Sequence, residues 1–238
     1  MKLTILGATG ATGTSLTSQA LAAGHEVTAV VRDPARLAVP AHLRLRTVTA
    51  DVMDPASIAP AIEGADAVLS AVGPRGTGPT TVIQDSVHSI IQAMRKTGTR
   101  RLLEVSGSIV ADEGESAYMR YLVKPLARRT FLRHVCADMR RGEDEIRNSD
   151  LDWTIFRPPA LNGKAATGAY RTAIDRNLPH GFTVSRADLA ACMLATLGDP
   201  ATVHRHVAIA SLRSAPAPAP RHAPMTARTI EPFHPDLG

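Results

Sequence analysis

Three glycines at three-residue spacing, Gly7, Gly10 and Gly13, are the residues whose types and spacing point most directly to chemistry. They follow an apolar run of strand-forming residues and precede a segment with helical periodicity. A strand, a tight turn and a helix amino terminus in that order let the backbone approach a pyrophosphate, which the helix amides and dipole can bind. A dinucleotide site is therefore predicted, although a glycine-rich turn without a ligand is the alternative. The residues assigned to this turn are Gly7, Thr9, Gly10, Ala11, Thr12 and Gly13.

The end of the second predicted strand distinguishes between two cofactors. NAD-binding sites usually place an acidic residue there to hold the ribose 2′-hydroxyl, and this chain has Arg32 instead. A guanidinium matches a 2′-phosphate in charge and geometry, and Thr12 can add a hydroxyl from the glycine turn. We therefore predict NADP(H) as the cofactor. Two alternatives stay open: Asp33 could pair with Arg32 or tolerate NAD, and Arg32 could be a solvated surface charge.

Two further segments end predicted strands on the same edge of the sheet. Asp51 and Val52 follow the third strand and are expected to face the adenine. Ala71, Val72 and Gly73 follow the fourth strand, where small side chains let a cofactor lie against the backbone. Ligands of open α/β sheets bind outside the carboxyl ends of the strands, so these residues are assigned to the cofactor site as well.

The elements that must position these residues alternate between strand and helix. Strand patterns cover about 2–6, 26–31, 46–50, 67–71, 101–105, 152–156 and 206–209. Helical patterns cover about 11–23, 55–63, 80–97 and 185–197, the last opened by a capping box of Ser185 and Asp188. This alternation is typical of a parallel sheet covered by helices on both faces. The proline-rich residues 213–238 are expected to be an extended or mobile tail.

Composition limits the classes of protein to which the chain can belong. Its 238 residues, 44% hydrophobic but only 3% aromatic, suit one globular domain with an aliphatic core. The sequence lacks an apolar run of about 18 residues and a signal peptide, so we expect a cytoplasmic protein without a membrane span. Cys136 and Cys192 suit a reducing compartment. We attribute the net charge of +5 to binding of cofactor phosphates rather than nucleic acid.

Several motifs together resemble the atypical short-chain dehydrogenase/reductase superfamily. They are the glycine turn, Val-Arg-Asp-Pro at 31–34, Asp-Val at 51–52, Ser-Ala-Val-Gly at 70–73, Asp-Trp-Thr-Ile-Phe-Arg-Pro-Pro at 152–159 and Ser-Arg-Ala-Asp-Leu-Ala at 185–190. The similarity is closest to the NAD(P)H-binding branch, which includes NmrA-like proteins and flavin/biliverdin reductases.

This resemblance covers roughly residues 1–212 and implies a single NAD(P)-binding domain. The implied fold is α/β, a Rossmann-like doubly wound parallel sheet with a small helical lobe on the substrate side, built from insertions at about 107–140 and 160–182. It also implies that Arg32 and Thr12 lie near the 2′-phosphate and that Pro158 and Pro159 lie near the nicotinamide.

The usual catalytic residues of short-chain dehydrogenases, a Ser and a Tyr-x-x-x-Lys pair, are incomplete here. Ser106 ends the fifth strand at the expected place and is also assigned to the cofactor site. Tyr118 is followed four residues later by Leu122 rather than Lys. Tyr121 and Lys124 are three residues apart and would share a helical face, but a surface pair is an equally good interpretation. We rank Ser106 first, then Lys124, then the two tyrosines.

A basic amphipathic stretch at 118–141 follows these candidates. It could wall a pocket for an anionic substrate, or it could be a solvated helix face, the interpretation that we favour. Asp138, Glu143 and Glu145 are interpreted as ordinary helix charges, and His and Cys residues at metal-ligand spacing are lacking.

The sequence predicts an NADP(H)-dependent oxidoreductase that reduces a carbonyl, enone, flavin or quinone-like small molecule. The incomplete catalytic set leaves two alternatives open. One is a redox-neutral isomerase, dehydratase or cyclase on the same scaffold, and the other is a non-catalytic regulator that senses NADP. The expected partner is a small-molecule substrate, and the expected assembly is a monomer or a homodimer.

Overall fold

The structure is a computed structural model that describes residues 1–111, 113–114, 121–122, 124–130 and 132–212. Its strands are β1 (Lys2–Leu6), β2 (Glu26–Val31), β3 (Leu45–Thr49), β4 (Ala67–Ser70), β5 (Arg101–Val105), β6 (Asp152–Arg157), β7 (Ala160–Asn162), β8 (Tyr170–Ile174), β9 (Thr183–Ser185) and β10 (Arg205–Ser211). Its α-helices are α1 (Ala11–Ala22), α2 (Pro55–Ile62), α3 (Val82–Thr97), α4 (Lys124–Arg129), α5 (Arg133–Arg147) and α6 (Arg186–Ala195).

Eight strands form one sheet in the order β3-β2-β1-β4-β5-β6-β10-β8. Every neighbouring pair is parallel except β10 and β8, which run antiparallel at one edge. The strand order reverses between β1 and β4, and such a reversal forms the crevice in which doubly wound sheets bind ligands. The predicted α/β class and the doubly wound sheet are therefore confirmed.

Helices cover both faces of the sheet, as the near-continuous apolar strands require. Along β1, Leu3 and Ile5 face one layer of helices, in which α1 packs against α6. Leu6 belongs to the opposite core, which α2, α3 and α5 cover. The strands are thus held rigidly from both sides, and their carboxyl ends have fixed positions.

The lobe on the substrate side differs from the prediction in one respect. The insertion at 107–140 contributes helices, α4 and the first half of α5, as expected. The insertion at 160–182 instead contains β7 and β8, of which β8 joins the edge of the main sheet and β7 pairs with β9. These strands are short and irregular in pattern, so hydrophobic periodicity did not reveal them.

Two sequence predictions concern residues outside the described part of the chain. They are the proline-rich tail at 213–238 and the catalytic candidate Tyr118. Within the described residues, the helices are all too short or too polar to cross a membrane.

Candidate functional site

The turn after β1 has a backbone that only glycine can adopt without distortion. Gly7 has a φ of +76°, and a Cβ at this position would lie 2.7 Å from the carbonyl oxygen of Ala71. A Cβ on Gly13 would lie 2.1 Å from the carbonyl oxygen of Gly7, so α1 packs directly on the turn. The Gly10 amide donates to that same carbonyl oxygen at 2.9 Å. The close approach that the sequence predicted at Gly13 is present.

The amino end of α1 is open to a ligand. Gly10 occupies the N-cap position and provides no capping side chain, and the first turn of the helix contains no acidic residue. The first amides of a helix have no partner inside it, and together with the helix dipole they favour an anion. The turn and the helix end therefore fit the pyrophosphate of a dinucleotide.

A cavity of about 530 Å³ lies over this turn at the carboxyl ends of β1, β2 and β4. The predicted cofactor residues that line it are Gly7, Thr9, Gly10, Arg32, Val52, Ala71, Val72 and Gly73. They come from four separate segments of the chain, so the structure brings these predicted residues together at one edge of the sheet.

The other predicted cofactor residues lie outside this cavity lining. Ala11, Thr12 and Gly13 form the first turn of α1 behind the glycines. Asp51, which the sequence predicts to face the adenine, accepts a hydrogen bond from the Met53 amide at 3.1 Å. Asp51 thus shapes its own loop, whereas Val52 and Met53 line the cavity.

Three arginines line the cavity: Arg32, Arg36 and Arg75. Sequence reasoning selected only Arg32. Asp33 accepts a hydrogen bond from the Ala35 amide at 3.0 Å and caps the 3-10 turn Pro34–Arg36. In the described part of the chain, Asp33 makes no ion pair with Arg32. That turn brings Arg36 into the lining of the same cavity as Arg32. The signal in the sequence that could have identified Arg36 is its position four residues after Arg32.

Ser106 and the two prolines lie where β5 and β6 end. The Ser106 amide donates to the Phe156 carbonyl at 2.8 Å, and the Ser108 amide donates to the Pro158 carbonyl at 2.8 Å. These bonds hold the two strand ends together. Pro159 lines a small crevice there with Ser108. Ser106 is 7% exposed, and its hydroxyl has no hydrogen-bond partner within the described residues.

Tyr121 and Lys124, which the sequence suggested as a pair, have opposite environments. Tyr121 is 72% exposed and Lys124 is 1% exposed. The Lys124 ammonium donates to the carbonyls of Ser108 at 2.6 Å and Ala111 at 2.7 Å. The alternative of a surface pair is therefore wrong for Lys124, which lies inside the lobe.

Two further side chains hold the same turn after Ser106. Arg128 donates to the carbonyl of Ile109 at 2.6 Å. The Asn177 amide donates to the carbonyls of Ser108 at 3.2 Å and Ala111 at 3.0 Å. Lys124 and Arg128 thus bind backbone carbonyls, which gives these two members of the basic stretch a role in ordering the lobe.

Two acids that were interpreted as ordinary helix charges are buried, so that interpretation was wrong for them. Asp138 is 0% exposed and accepts hydrogen bonds from the amides of Ile83 and Gln84, both at 3.0 Å. Glu143 is buried in an ion pair with Arg157. Their partners lie far away in the sequence, and for this reason the local pattern of α5 did not reveal them.

Glu104 is a buried acid, and the described residues place no ion-pair partner beside it. It is 2% exposed, and burial raises its pKa to about 8. The nearby Ser70 hydroxyl opposes this rise in pKa, and the charge of Glu143 adds to it. Neither carboxyl oxygen forms a hydrogen bond of normal length with a described residue. A carboxyl group in this environment is neutral at neutral pH.

Both cysteines have environments that disfavour the thiolate. Burial raises the pKa of the Cys136 thiol, and it raises that of Cys192 to about 12. A thiol with a raised pKa is a poor nucleophile because the thiolate is the reactive form. Among the described positions, no three His, Cys, Asp or Glu side chains are grouped so that they could hold a metal ion.

Comparison with known proteins adds a family and structural neighbours. A family model described as NAD(P)H-binding matches residues 7–200. The UPF0659 protein YMR090W of Saccharomyces cerevisiae is 28% identical over 158 residues, which cover 64% of this chain and 65% of that protein. The matched region therefore spans slightly less than two thirds of that relative.

Two solved structures resemble this chain over most of its length. A candidate epimerase from Bacteroides thetaiotaomicron superposes with a TM-score of 0.75 at 28% identity, over 90% of this chain and 98% of the other. A wide-type short-chain dehydrogenase/reductase from Veillonella parvula, in complex with NADP, gives a TM-score of 0.69 at 19% identity, over 88% and 94% of the two chains. At that identity the second likeness shows the fold alone.

Proposed function

This chain belongs to the NAD(P)H-binding family, and from that membership we propose that it is an oxidoreductase that uses NADP(H) to reduce a small molecule. The substrate is a carbonyl, enone, flavin or quinone-like compound. We also propose that the protein acts in the cytoplasm, where the free thiols of Cys136 and Cys192 stay reduced.

The residues of the cavity match the parts of the cofactor. The turn at Gly7 and Gly10 and the amino end of α1 would hold the pyrophosphate. Val52 and Met53 would pack against the adenine, and Arg32 would bind the 2′-phosphate. When bound, the reduced cofactor supplies a hydride to the substrate, which would lie near Ser106 where β5 and β6 end.

The charge of the cavity lining is the observation that favours NADP(H) over NAD. Arg32, Arg36 and Arg75 line it, and the lining includes no Asp or Glu among the described residues. NAD-specific sites use a carboxylate to accept the ribose 2′-hydroxyl, whereas guanidinium groups bind phosphate bidentately. This arrangement favours a phosphorylated ribose.

Calorimetric titration with NADPH and with NADH tests the proposal directly. We expect NADPH to bind at least roughly 10-fold more tightly, because each charge-assisted hydrogen bond to the phosphate contributes about 1.5–3 kcal/mol. A panel of carbonyls, quinones and flavins should then oxidise NADPH in the presence of the protein. Equal affinity for both cofactors would contradict the choice of NADP(H), and the lack of NADPH oxidation across the panel would contradict reductase activity.

A redox-neutral reaction on the same scaffold is the second candidate. The buried Lys124 ammonium is bound to the carbonyls of Ser108 and Ala111, an arrangement unlike the Tyr–Lys acid of typical short-chain dehydrogenases. The neighbour of 28% identity from Bacteroides thetaiotaomicron is described as a candidate epimerase. Substrate conversion without net consumption of NADPH would favour this candidate, and stoichiometric oxidation of NADPH would exclude it.

A further inference from the structure

Three polar side chains occupy neighbouring positions inside the sheet. Ser70 of β4 and Glu104 of β5 are partners in the parallel ladder. Ser106 lies two residues beyond Glu104, and side chains two apart in an extended chain point to the same face. Ser70, Glu104 and Ser106 are 0%, 2% and 7% exposed. We refer to these three residues as the buried polar row.

The polar atoms of this row lack ordinary partners. Within the described residues, the two carboxyl oxygens of Glu104 and the hydroxyls of Ser70 and Ser106 form no hydrogen bond of normal length. Buried polar atoms are nearly always paired, so a group of such atoms at one place requires an explanation. A functional site is one recognised explanation, because such sites keep polar atoms ready for a ligand or a water molecule.

The charged groups around Glu104 favour its neutral form. Glu143, on the overlying helix α5, is an acid already paired with Arg157. His206 of β10 lies on the same row of the sheet, across Ile155, and burial lowers its pKa and so favours the neutral ring. The buried residues of α2 and α3, the other helices over this face, are all uncharged. Since none of the described cations compensates a carboxylate at this position, the neutral form of Glu104 is favoured.

The row leads from the sheet interior to the candidate site. Ser106 stands where β5 ends, beside the strand end that carries Pro158. Val72, two residues beyond Ser70, lines the cavity of about 530 Å³ over the glycine turn, which we refer to as the nucleotide cavity. Ser70 is therefore two residues from the cavity lining, Ser106 follows β5 at the same carboxyl edge of the sheet, and Glu104 lies two residues further inside the protein.

We propose that Glu104 is a neutral buried acid that supplies the proton of the reduction through the hydroxyl of Ser106. This inference rests on the proposed reductase function. A carbonyl that accepts a hydride on carbon takes up one proton on oxygen. Ser106 gives its hydroxyl proton to that oxygen and regains one from Glu104, which becomes a carboxylate until solvent protonates it again.

The distance between the two groups is compatible with this transfer. Residues two apart on a strand are separated by roughly 7 Å at Cα, which a glutamate side chain and one bridging water can span. Glu104 acts through Ser106 and does not itself touch the substrate. Glu104 thereby serves as the proton source in a site in which Lys124 is bound to backbone carbonyls.

The protonation of Glu104 can be measured without any substrate. Infrared difference spectra of the wild type and Glu104→Gln should contain a protonated carboxyl band at neutral pH, and this band should disappear with a midpoint at about pH 8. Ser70→Ala should move this midpoint upward, since the Ser70 hydroxyl lowers the pKa of Glu104. An ionised Glu104 at neutral pH would overturn the proposal.

Single-turnover reduction of a substrate by bound NADPH tests the transfer itself. Glu104→Gln and Ser106→Ala should each slow reduction roughly 100-fold, the usual contribution of a positioned acid, and Glu104→Gln should do so without weakening NADPH binding. The wild-type rate should fall at alkaline pH, and Glu104→Gln should remove this dependence. A pH profile unchanged by Glu104→Gln would overturn this proposal alone. Failure of the wild type to bind NADPH would overturn the proposed function and this inference with it.

Discussion

The carboxylate of Asp138 on α5 caps the amino end of α3, where it accepts the amide of Ile83 at 3.0 Å. A second oxygen of the same carboxylate accepts the Gln84 amide at 3.0 Å. α3 follows directly on the loop that contributes Val72 and Arg75 to the nucleotide cavity. Asp138 therefore fixes α5 to the start of α3, next to the loop that lines the cavity.

Replacement of Asp138 by Asn should destabilise the protein. The Asn amide group would place a donor against a backbone donor, and one helix amide would lose its acceptor in a buried site. We expect the free energy of unfolding in urea to fall by about 2 kcal/mol. Asp144→Asn, which affects an exposed pair with Arg147 on the same helix, should change it by less than about 0.5 kcal/mol. Equal effects of the two substitutions would contradict the capping role.

Arg32→Ala and Arg36→Ala should each weaken NADPH binding while leaving NADH binding nearly unchanged. Loss of one charge-assisted bond to the phosphate corresponds to roughly a 10- to 100-fold rise in Kd. Calorimetry with both cofactors measures this selectivity. Arg46→Ala is the matched control because Arg46 lies on β3, outside the lining of the nucleotide cavity. If Arg32→Ala weakened both cofactors equally, the arginine would bind a phosphate that the two share.

Local sequence signals predicted the elements that lie under the nucleotide site. β1, β2 and β5 have the bounds that hydrophobic patterning gave them. The roles of Gly7 and Gly13 followed from spacing, because a strand, a turn and a helix within thirteen residues leave few alternative backbones. The apolar patterns and the glycine spacing lie within short segments, so they predicted these elements without any contact from distant parts of the chain.

Predictions that depended on distant contacts were less successful. Asp138 and Glu143 have helical spacing like any solvated acids, and their burial comes from α3 and from Arg157. Lys124 was chosen for its distance from a tyrosine, but carbonyls of the turn at Ser108 and Ala111 surround its ammonium. Burial of a polar side chain is decided by tertiary packing, so a single sequence does not contain a direct signal for it.

Gly13→Ala should disrupt the nucleotide turn. Its Cβ would lie 2.1 Å from the carbonyl oxygen of Gly7, a backbone atom that cannot move without displacing β1 or α1. We expect a loss of stability of about 3 kcal/mol or more, seen as a lower thermal midpoint or as insoluble protein. Gly163→Ala should be tolerated, since a Cβ there meets no atom within 4 Å. A stable Gly13→Ala protein that binds NADPH normally would contradict the close packing of α1 on the turn.

Lys124→Met should separate a positioning role from direct cofactor binding. The carbonyls of Ser108 and Ala111 would lose one donor but keep Asn177, so we expect a loss of about 2 kcal/mol in urea unfolding. If Lys124 only positions the turn, NADPH affinity should stay within roughly threefold of the wild type, because its ammonium is bound to backbone carbonyls and not to the cofactor. The exposed Lys164→Met serves as the control for removing a positive charge. A large loss of NADPH affinity in Lys124→Met alone would show that Lys124 contacts the ribose instead.

The stability of the protein should depend on pH through Glu104. Its pKa in the folded protein, about 8, lies above the ordinary value of 4.5 that it has when unfolded. The folded state therefore binds one more proton than the unfolded state between these two values, and stability falls as pH rises through this window. This contribution is fully present below about pH 4.5 and lost above about pH 8.

Urea unfolding of the wild type and Glu104→Gln across this pH range isolates the effect, because Gln has the shape of the neutral acid and does not titrate. The difference in unfolding free energy between the two proteins should be constant in acid, change steadily from about pH 4.5 to about pH 8 in favour of Glu104→Gln, and level off above. Its total size should be on the order of a few kcal/mol, since each unit of pKa shift is worth about 1.4 kcal/mol. A difference that stays constant with pH would mean that the carboxyl ionises equally in both states, which would require water or a cation to reach Glu104 inside the folded sheet.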